Sequence, residues 1–328
     1  MNALAKKLLA WFAVARRDLP WREEPRDPYR VWVSEVMLQQ TRVEVVVPYF
    51  LRFVDRLPTL AKLAAASPDE VLSLWSGLGY YTRARNLHRA AQAAGAALPG
   101  SYAELRELPG FGPYTAAAVA SLAFGEDQAL VDGNVARVLG RLYRLAGDKD
   151  QVRKAAWELA PTLLPRGRGG AFNEALMELG ALVCTPRKPR CDLCPVASLC
   201  QGRDVAGSIP APKARRVRPL LAWDAVALRR RDSAVLLAQR PEGALFAGLW
   251  DLPEPGAHPG VRVRGALSDC GVVEQTLTHR EVSVTVRTGA ASGVPRGPAL
   301  RFFLPSELST IGLSSLARKS LRRAGVLP

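Results

Sequence analysis

Leu108-Pro109-Gly110-Phe111-Gly112-Pro113-Tyr114-Thr115 and, further on, Val131-Asp132-Gly133-Asn134-Val135 decide how this chain is read. In the first stretch two glycines and two prolines interrupt a helical pattern, so one helix ends there and another begins. Gly110 and Gly112 permit positive φ and leave the backbone bare. Successive N–H groups at such a turn, beside the start of a helix, form a site for an anion. A plain helix–helix turn is the ordinary use of such a string. In the second stretch Asp132 begins a helix, where an aspartate ordinarily serves as N-cap. Asn134 follows it by two residues.

Outward from this centre, apolar residues spaced by three and four predict helices over Leu51–Leu63, Val71–Leu74, Ala84–Ala94, Thr115–Phe124, Asn134–Tyr143, Gln151–Leu164 and Phe172–Val183. Met1–Arg17 reads as an amphipathic helix without a cleavage site. Gly207–Pro219 is rich in Pro and basic residues and reads as an extended linker. Beyond it Trp223–Leu228, Ala234–Gln239, Arg262–Leu267, Thr276–Val286 and Leu300–Leu304 have strand character, and Leu313–Arg323 closes the chain as a basic helix. The division expected is a helical region over 1–205, a linker over 206–220 and an α+β domain over 221–328.

The 328 residues carry 45 Lys+Arg against 30 Asp+Glu, a formal charge of +15, which points to a polyanion such as nucleic acid. No uncharged apolar run approaches the roughly twenty residues that span a bilayer, so a soluble, cytoplasmic protein with no membrane partner is expected, nucleoid-associated if its source is bacterial. Of five cysteines, Cys184, Cys191, Cys194 and Cys200 form C-x6-C-x2-C-x5-C. A tight cluster says metal rather than a disulfide framework. Spacing alone suits a structural zinc and an iron–sulfur centre equally.

Taken together, the glycine turn, the aspartate and the cysteine spacing resemble the helix–hairpin–helix glycosylases of the endonuclease III superfamily and, among them, the MutY family. The resemblance implies a [4Fe–4S] cluster on the four cysteines, with Arg187 and Lys188 in the first loop gripping phosphate. It implies that Gly110 and Gly112 contact DNA, and that Asp132, beside Asn134, stabilises the oxocarbenium formed when a base leaves C1′. Bifunctional relatives carry a lysine nucleophile where this chain has Tyr114, and some MutY relatives carry another where it has Ala136. Base removal without strand cleavage is therefore expected.

Ser34-Glu35-Val36-Met37-Leu38-Gln39-Gln40-Thr41 matches the MutY family nearly letter for letter. Trp32, Val36 and Leu38 would draw Glu35 inward, and burial raises a carboxyl pKa. By resemblance Glu35 protonates N7 of a flipped adenine, Gln40 wedges into the base stack, and Gln39 and Thr41 line the same region. In Gly77–Asn86, Tyr80 would stack near 8-oxoguanine with Leu78 close by. Arg22, Arg83 and Arg85 are phosphate candidates. Leu245–Pro253 is similar to the G-L-W-x-x-P turn of Nudix domains, yet no R-E-x-x-E-E string follows, so pyrophosphatase chemistry is not expected. The second domain resembles the MutY lesion-recognition domain. Its Phe-Ser-His turn corresponds here to Leu277-Thr278-His279, in which Thr278 keeps the hydroxyl, His279 is retained and Leu277 replaces the aromatic.

The fold expected is thus a mostly α helix–hairpin–helix glycosylase with an iron–sulfur cluster, joined to an α+β Nudix-like domain. The function implied is that of a monomeric, monofunctional base excision repair glycosylase. It would remove adenine opposite 8-oxoguanine or guanine in double-stranded DNA. The alternatives are an endonuclease III-like pyrimidine glycosylase with lyase activity, a non-catalytic iron–sulfur DNA-binding protein and a Nudix hydrolase.

Overall fold

The computed structural model describes residues 1–212 and 217–328. Eleven helices among the described residues come first: α1 Ala3–Ala15, α2 Pro28–Leu38, α3 Val43–Arg56, α4 Leu60–Ala65, α5 Pro68–Leu74, α6 Thr82–Ala94, α7 Tyr102–Arg106, α8 Pro113–Ala123, α9 Gly133–Leu142, α10 Lys149–Leu163 and α11 Gly169–Leu182. None is long and apolar enough to cross a membrane. Strands follow as β1 Leu220–Arg229, β2 Val235–Gln239, β3 Trp250–Asp251, β4 Val261–Thr276, β5 Glu281–Gly293 and β6 Leu300–Phe303, with α12 Ser315–Arg323 near the end. Two compact units emerge. One comprises 1–54, 58–61 and 89–212, and the other 55–57, 62–88 and 217–328.

Side-chain caps start many of the helices. Asn2 accepts from the Ala5 amide, Asp27 from Tyr29 and Arg30, and Asp148 closes a capping box with Gln151. The expected helix over Leu51–Leu63 is two, because Pro58 removes a backbone donor and α3 ends before it. In the first unit Leu8 and Phe12 of α1, Leu130, Val135 and Leu139 around α9, and Phe172, Leu176 and Leu179 of α11 share one core. α8 is buried along Thr115–Ser121 and built mainly of alanine, which lets α2 and α11 approach it closely.

The second unit carries a sheet in the order β3-β2-β1-β5-β4, with β6 on β2; β1 and β5 are parallel and the other pairs antiparallel. Val284, Phe303 and Trp250 pack with Leu316 and Leu321 of α12 on one core, while Val226, Leu228, Leu236 and Val261 form a second. Thr276–Val286, expected as one strand, is a hairpin: the chain turns at 277–280, where the Leu277 amide donates to the Arg280 carbonyl at 2.8 Å. That turn lacks Gly, Pro, Asn and Asp, so no breaker residue betrayed it. Within the same unit Ser76 Oγ donates to the Leu313 carbonyl (2.7 Å), and Trp250 Nε1 to Asp69 Oδ1 (3.0 Å). Of the stretch read as linker, Ala206–Ser208 forms a 3₁₀ turn and the Ala211 amide donates to the Gly147 carbonyl. The basic residues 213–216 lie outside the described residues.

Candidate active site

A cavity of about 1310 Å³ opens in the first unit, walled by α2, the 39–44 segment, the 110–115 turn, the start of α9 and α11. Asp27 caps α2 and Pro28 begins it, and from Tyr29 to Met37 all side chains but Arg30 are buried. Trp32 stacks on Phe111 with ring centroids 5.2 Å apart, fixing α2 against the glycine turn. Glu35 is therefore only 4% exposed. Its Oε2 accepts a hydrogen bond from Tyr114 Oη at 2.5 Å, and that hydroxyl also lies 3.7 Å from Met177 Sδ. Burial pushes the Glu35 carboxyl up to about 7. The Tyr114 hydrogen bond pulls it down, the Asp132 and Glu174 charges push it up, and Arg22 opposes them.

Asp132 is the N-cap of α9: Oδ1 accepts from the Val135 amide (2.7 Å) and Oδ2 from Asn134 Nδ2 (2.9 Å). The capping role and a role in the cavity thus fall on one side chain. Burial lifts its carboxyl above the ordinary aspartate value, and the donors from Val135 and Asn134, with Arg137 behind them, work against that lift. Glu35 has one hydroxyl donor, whereas Asp132 has backbone and amide donors. A proton shared between these walls therefore resides on Glu35. Such a pair supplies a proton near neutrality beside a fixed negative charge.

Gln40, exposed, and Thr41 line the mouth; Gln40 takes a left-handed φ of 61°, unusual for a residue other than glycine. Gln39 Nε2 donates to Thr115 Oγ1 at 3.1 Å, tying this segment to α8. Gly110 uses positive φ (78°), but Gly112 does not: at φ −68°, ψ 172° it is an extended N-cap for α8. Of the two glycines that permit positive φ, Gly110 alone uses it in the reversal.

The four cysteines line one small cavity with Arg141, and none is in a disulfide. Arg141 Nη1 lies 3.3 Å from Cys184 Sγ, and backbone amides of Val196 and Gly202 donate to Cys194 and Cys200. Among the described residues no three His, Cys, Asp or Glu side chains close on one point as a single metal ion requires. Burial, then the neighbouring sulfurs, push the Cys194 and Cys200 thiols up against their backbone donors, so a thiolate at either position calls for a cationic centre. Arg187 and Lys188 are exposed on the first loop, which Thr185 Oγ1 closes by donating to the Lys188 carbonyl.

In the second unit Tyr80 is 39% exposed and left-handed (φ 50°), directly after Gly79 (φ 73°) and buried Leu78. Its hydroxyl lies 2.5 Å from Thr278 Oγ1, bringing two residues distant in sequence together at the 277–280 turn. Thr278 and His279 are exposed there, while Leu277 is partly buried against the core.

Residues 33–162 match the HhH-GPD superfamily base excision DNA repair protein, 184–200 the iron-sulfur binding domain of endonuclease III, and 225–323 the NUDIX domain. The human adenine DNA glycosylase is 35% identical over 98% of this chain and 74% of its own length. The chain belongs to the adenine DNA glycosylases. The rat adenine DNA glycosylase is 39% identical over 79% of this chain, which spans 61% of the rat protein's length. A solved thermostable thymine-DNA glycosylase, 33% identical, covers 61% of this chain with a TM-score of 0.55. This member is accordingly a hydrolase of N-glycosyl bonds that carries a [4Fe–4S] cluster, with Cys191, Cys194 and Cys200 in the matched iron-sulfur motif.

Three arginines read as phosphate candidates are otherwise engaged. Arg22 reaches Glu174 (3.0 Å) and Glu178 (3.1 Å), because α11 turns two buried carboxylates toward the 17–26 segment. Arg17 and Arg26 complete that network, and although burial raises the Glu178 carboxyl, hydrogen bonds from Arg17 and Arg22 hold it at about 2. Arg83 is buried on the carbonyl of Gly79 with its guanidinium over Tyr80, and Arg85 donates to the Ala247 carbonyl.

Sequence reasoning missed Arg137 and Gly180. Arg137 donates to Asn134 Oδ1 (2.8 Å) and to the Cys184 carbonyl (2.7 Å). A Cβ on Gly180 would stand 2.6 Å from the Cβ of Asn134. An arginine and a glycine on helical faces carry no distinguishing pattern until the partner helix is known.

Proposed function

We propose that this glycosylase removes adenine paired with 8-oxoguanine, or with guanine, from duplex DNA, and that it cuts no strand. The division of labour would follow the expected 1–205, 206–220 and 221–328, with catalysis in the first part and reading of the opposite base in the last. The observation that carries the reading is the pair of unlike carboxyls in one cavity, Glu35 pushed to about 7 and Asp132 held by donors.

Duplex DNA lies over the glycine turn at Gly110 and Gly112 and over Arg187 and Lys188, and Gln40 fills the space left in the stack. Adenine enters the cavity. Glu35 gives its proton to N7, so the C1′–N9 bond breaks with the electron pair leaving on a base that departs neutral. Asp132, oriented by Asn134, faces the positive charge that develops on the sugar. Water supplies the hydroxyl to C1′, and its proton replaces the one Glu35 gave. Tyr114 holds Glu35 through its hydroxyl. Neither Tyr114 nor Ala136 offers an amine for a Schiff base, which supports base removal alone. On the opposite strand Tyr80 stacks by the damaged base, next to Leu78, while Thr278 and His279 hydrogen-bond it. The protein acts as a monomer on the genome, in the cytoplasm.

Duplexes bearing A opposite 8-oxoguanine, A opposite G, or thymine glycol test this, each read with and without alkali. Breaks at adenine that need alkali are expected; cleavage at thymine glycol alone overturns the reading.

A further inference from the structure

At one end of the β4–β5 ladder Thr276 pairs with Glu281 beside the 277–280 turn; at the other Val261 pairs with Gly293. Near that second end a cavity of about 860 Å³ is lined by Arg229, Arg230, Arg231 and Arg264 together with Ser268 and Thr288. Two structural devices build it. Ser233 takes a left-handed φ of 67° and tightens the β1–β2 turn, with its amide donating to the Arg230 carbonyl. A register shift between Arg264 and Ser268 bows β4, and such bulges re-aim side chains.

No carboxylate lines this cavity among the described residues. Asp232, nearby, is taken up by Arg230. Arg264 is held by one neutral hydroxyl, with Nε donating to Ser292 Oγ at 3.0 Å. The three other guanidiniums, of Arg229, Arg231 and Arg264, stand amid hydroxyls and match phosphate oxygens. The lining also lacks any aromatic or amide side chain. Its cations are spread over two elements, Arg229 and Arg231 about the β1–β2 turn and Arg264 on β4, a spacing that suits a run of backbone phosphates.

We infer that this pocket grips the DNA backbone away from the lesion. The inference rests on the proposed function, which sets the opposite base at the 277–280 turn. From Glu281 to Ala290 along β5 is about 30 Å at ~3.3 Å per residue, close to one turn of duplex. The glycosylase then holds duplex through two separated contacts of the same sheet, one at the damaged base and one on phosphates alone.

The test is equilibrium binding across a salt series with the full-length protein. Duplexes carry A opposite 8-oxoguanine and extend either about fifteen or about five base pairs beyond it, at ~3.4 Å each. On the long duplex, replacing Arg229, Arg231 and Arg264 together by Ser should flatten the slope of log K against log salt by about 2–3. The corresponding Lys triple variant should retain the parent slope. On the short duplex the parent should already show the flatter slope. A Ser variant with the parent slope on long duplex, or a parent indifferent to duplex length, overturns the inference. So does inorganic triphosphate that binds the parent but not the Ser variant and leaves DNA affinity untouched, which would assign the pocket to free polyphosphate. Adenine release by the parent, measured on the same duplexes, tests the underlying function separately.

Discussion

Glu35 stands in the middle of α2 among Trp32, Val36 and Met37, whereas Asp132 stands at the first turn of α9, where the backbone offers N–H groups. Both are carboxyls lining one cavity. Burial pushes both upward, yet only Asp132 has a set of donors to stabilise its anion. A mid-helix position has no free amides, because each is used within the helix, while an N-cap position faces several. Secondary structure alone therefore separates acid from anion.

The comparison can be broken at either wall. Glu35→Gln keeps size and polarity but carries no labile carboxyl proton, so single-turnover excision of adenine should fall by about 10²–10⁴-fold. Asp132→Asn still caps α9 but loses the negative charge, so the same assay should fall by about 10²–10³-fold with an unchanged circular dichroism spectrum. Gly180→Ala sharpens the comparison from the Asp132 side. The new methyl meets Asn134 and should cost about 1–3 kcal/mol of stability, read by thermal melting, along with slower excision. Tyr114→Phe does so from the Glu35 side. It removes a hydrogen bond that holds the Glu35 carboxyl down, so the alkaline limb of the rate profile should move above its parental position near 7.

Much of this contrast could be read before the fold was known. The apolar neighbours of Glu35 announced its burial, and an Asp ahead of a helical pattern announced a cap. Arg22 could not be placed, since its partners Glu174 and Glu178 lie far along the chain, on a helix whose facing surface no local pattern reveals. Glycine at 110 and 112 permits positive φ, but the sequence does not say which of the two uses it, and Gly112 does not. The 277–280 turn was hidden inside an alternating stretch, although Thr278 and His279 were singled out by register. Helix positions were legible because Pro and Gly punctuate them. The pairing of Tyr80 with Thr278 was not, because a contact between residues so far apart in sequence belongs to tertiary structure.

The central claim is that Glu35 is the proton donor and Asp132 the anion, and the pH dependence of single-turnover excision tests it most directly. For the parent, the rate should fall as pH rises through about 7, where Glu35 loses its proton. It should fall again at low pH as Asp132 gains one, above the ordinary aspartate range. In Glu35→Gln the alkaline limb should vanish and the acid limb remain. An alkaline limb that persists near 7 in that variant would contradict the assignment.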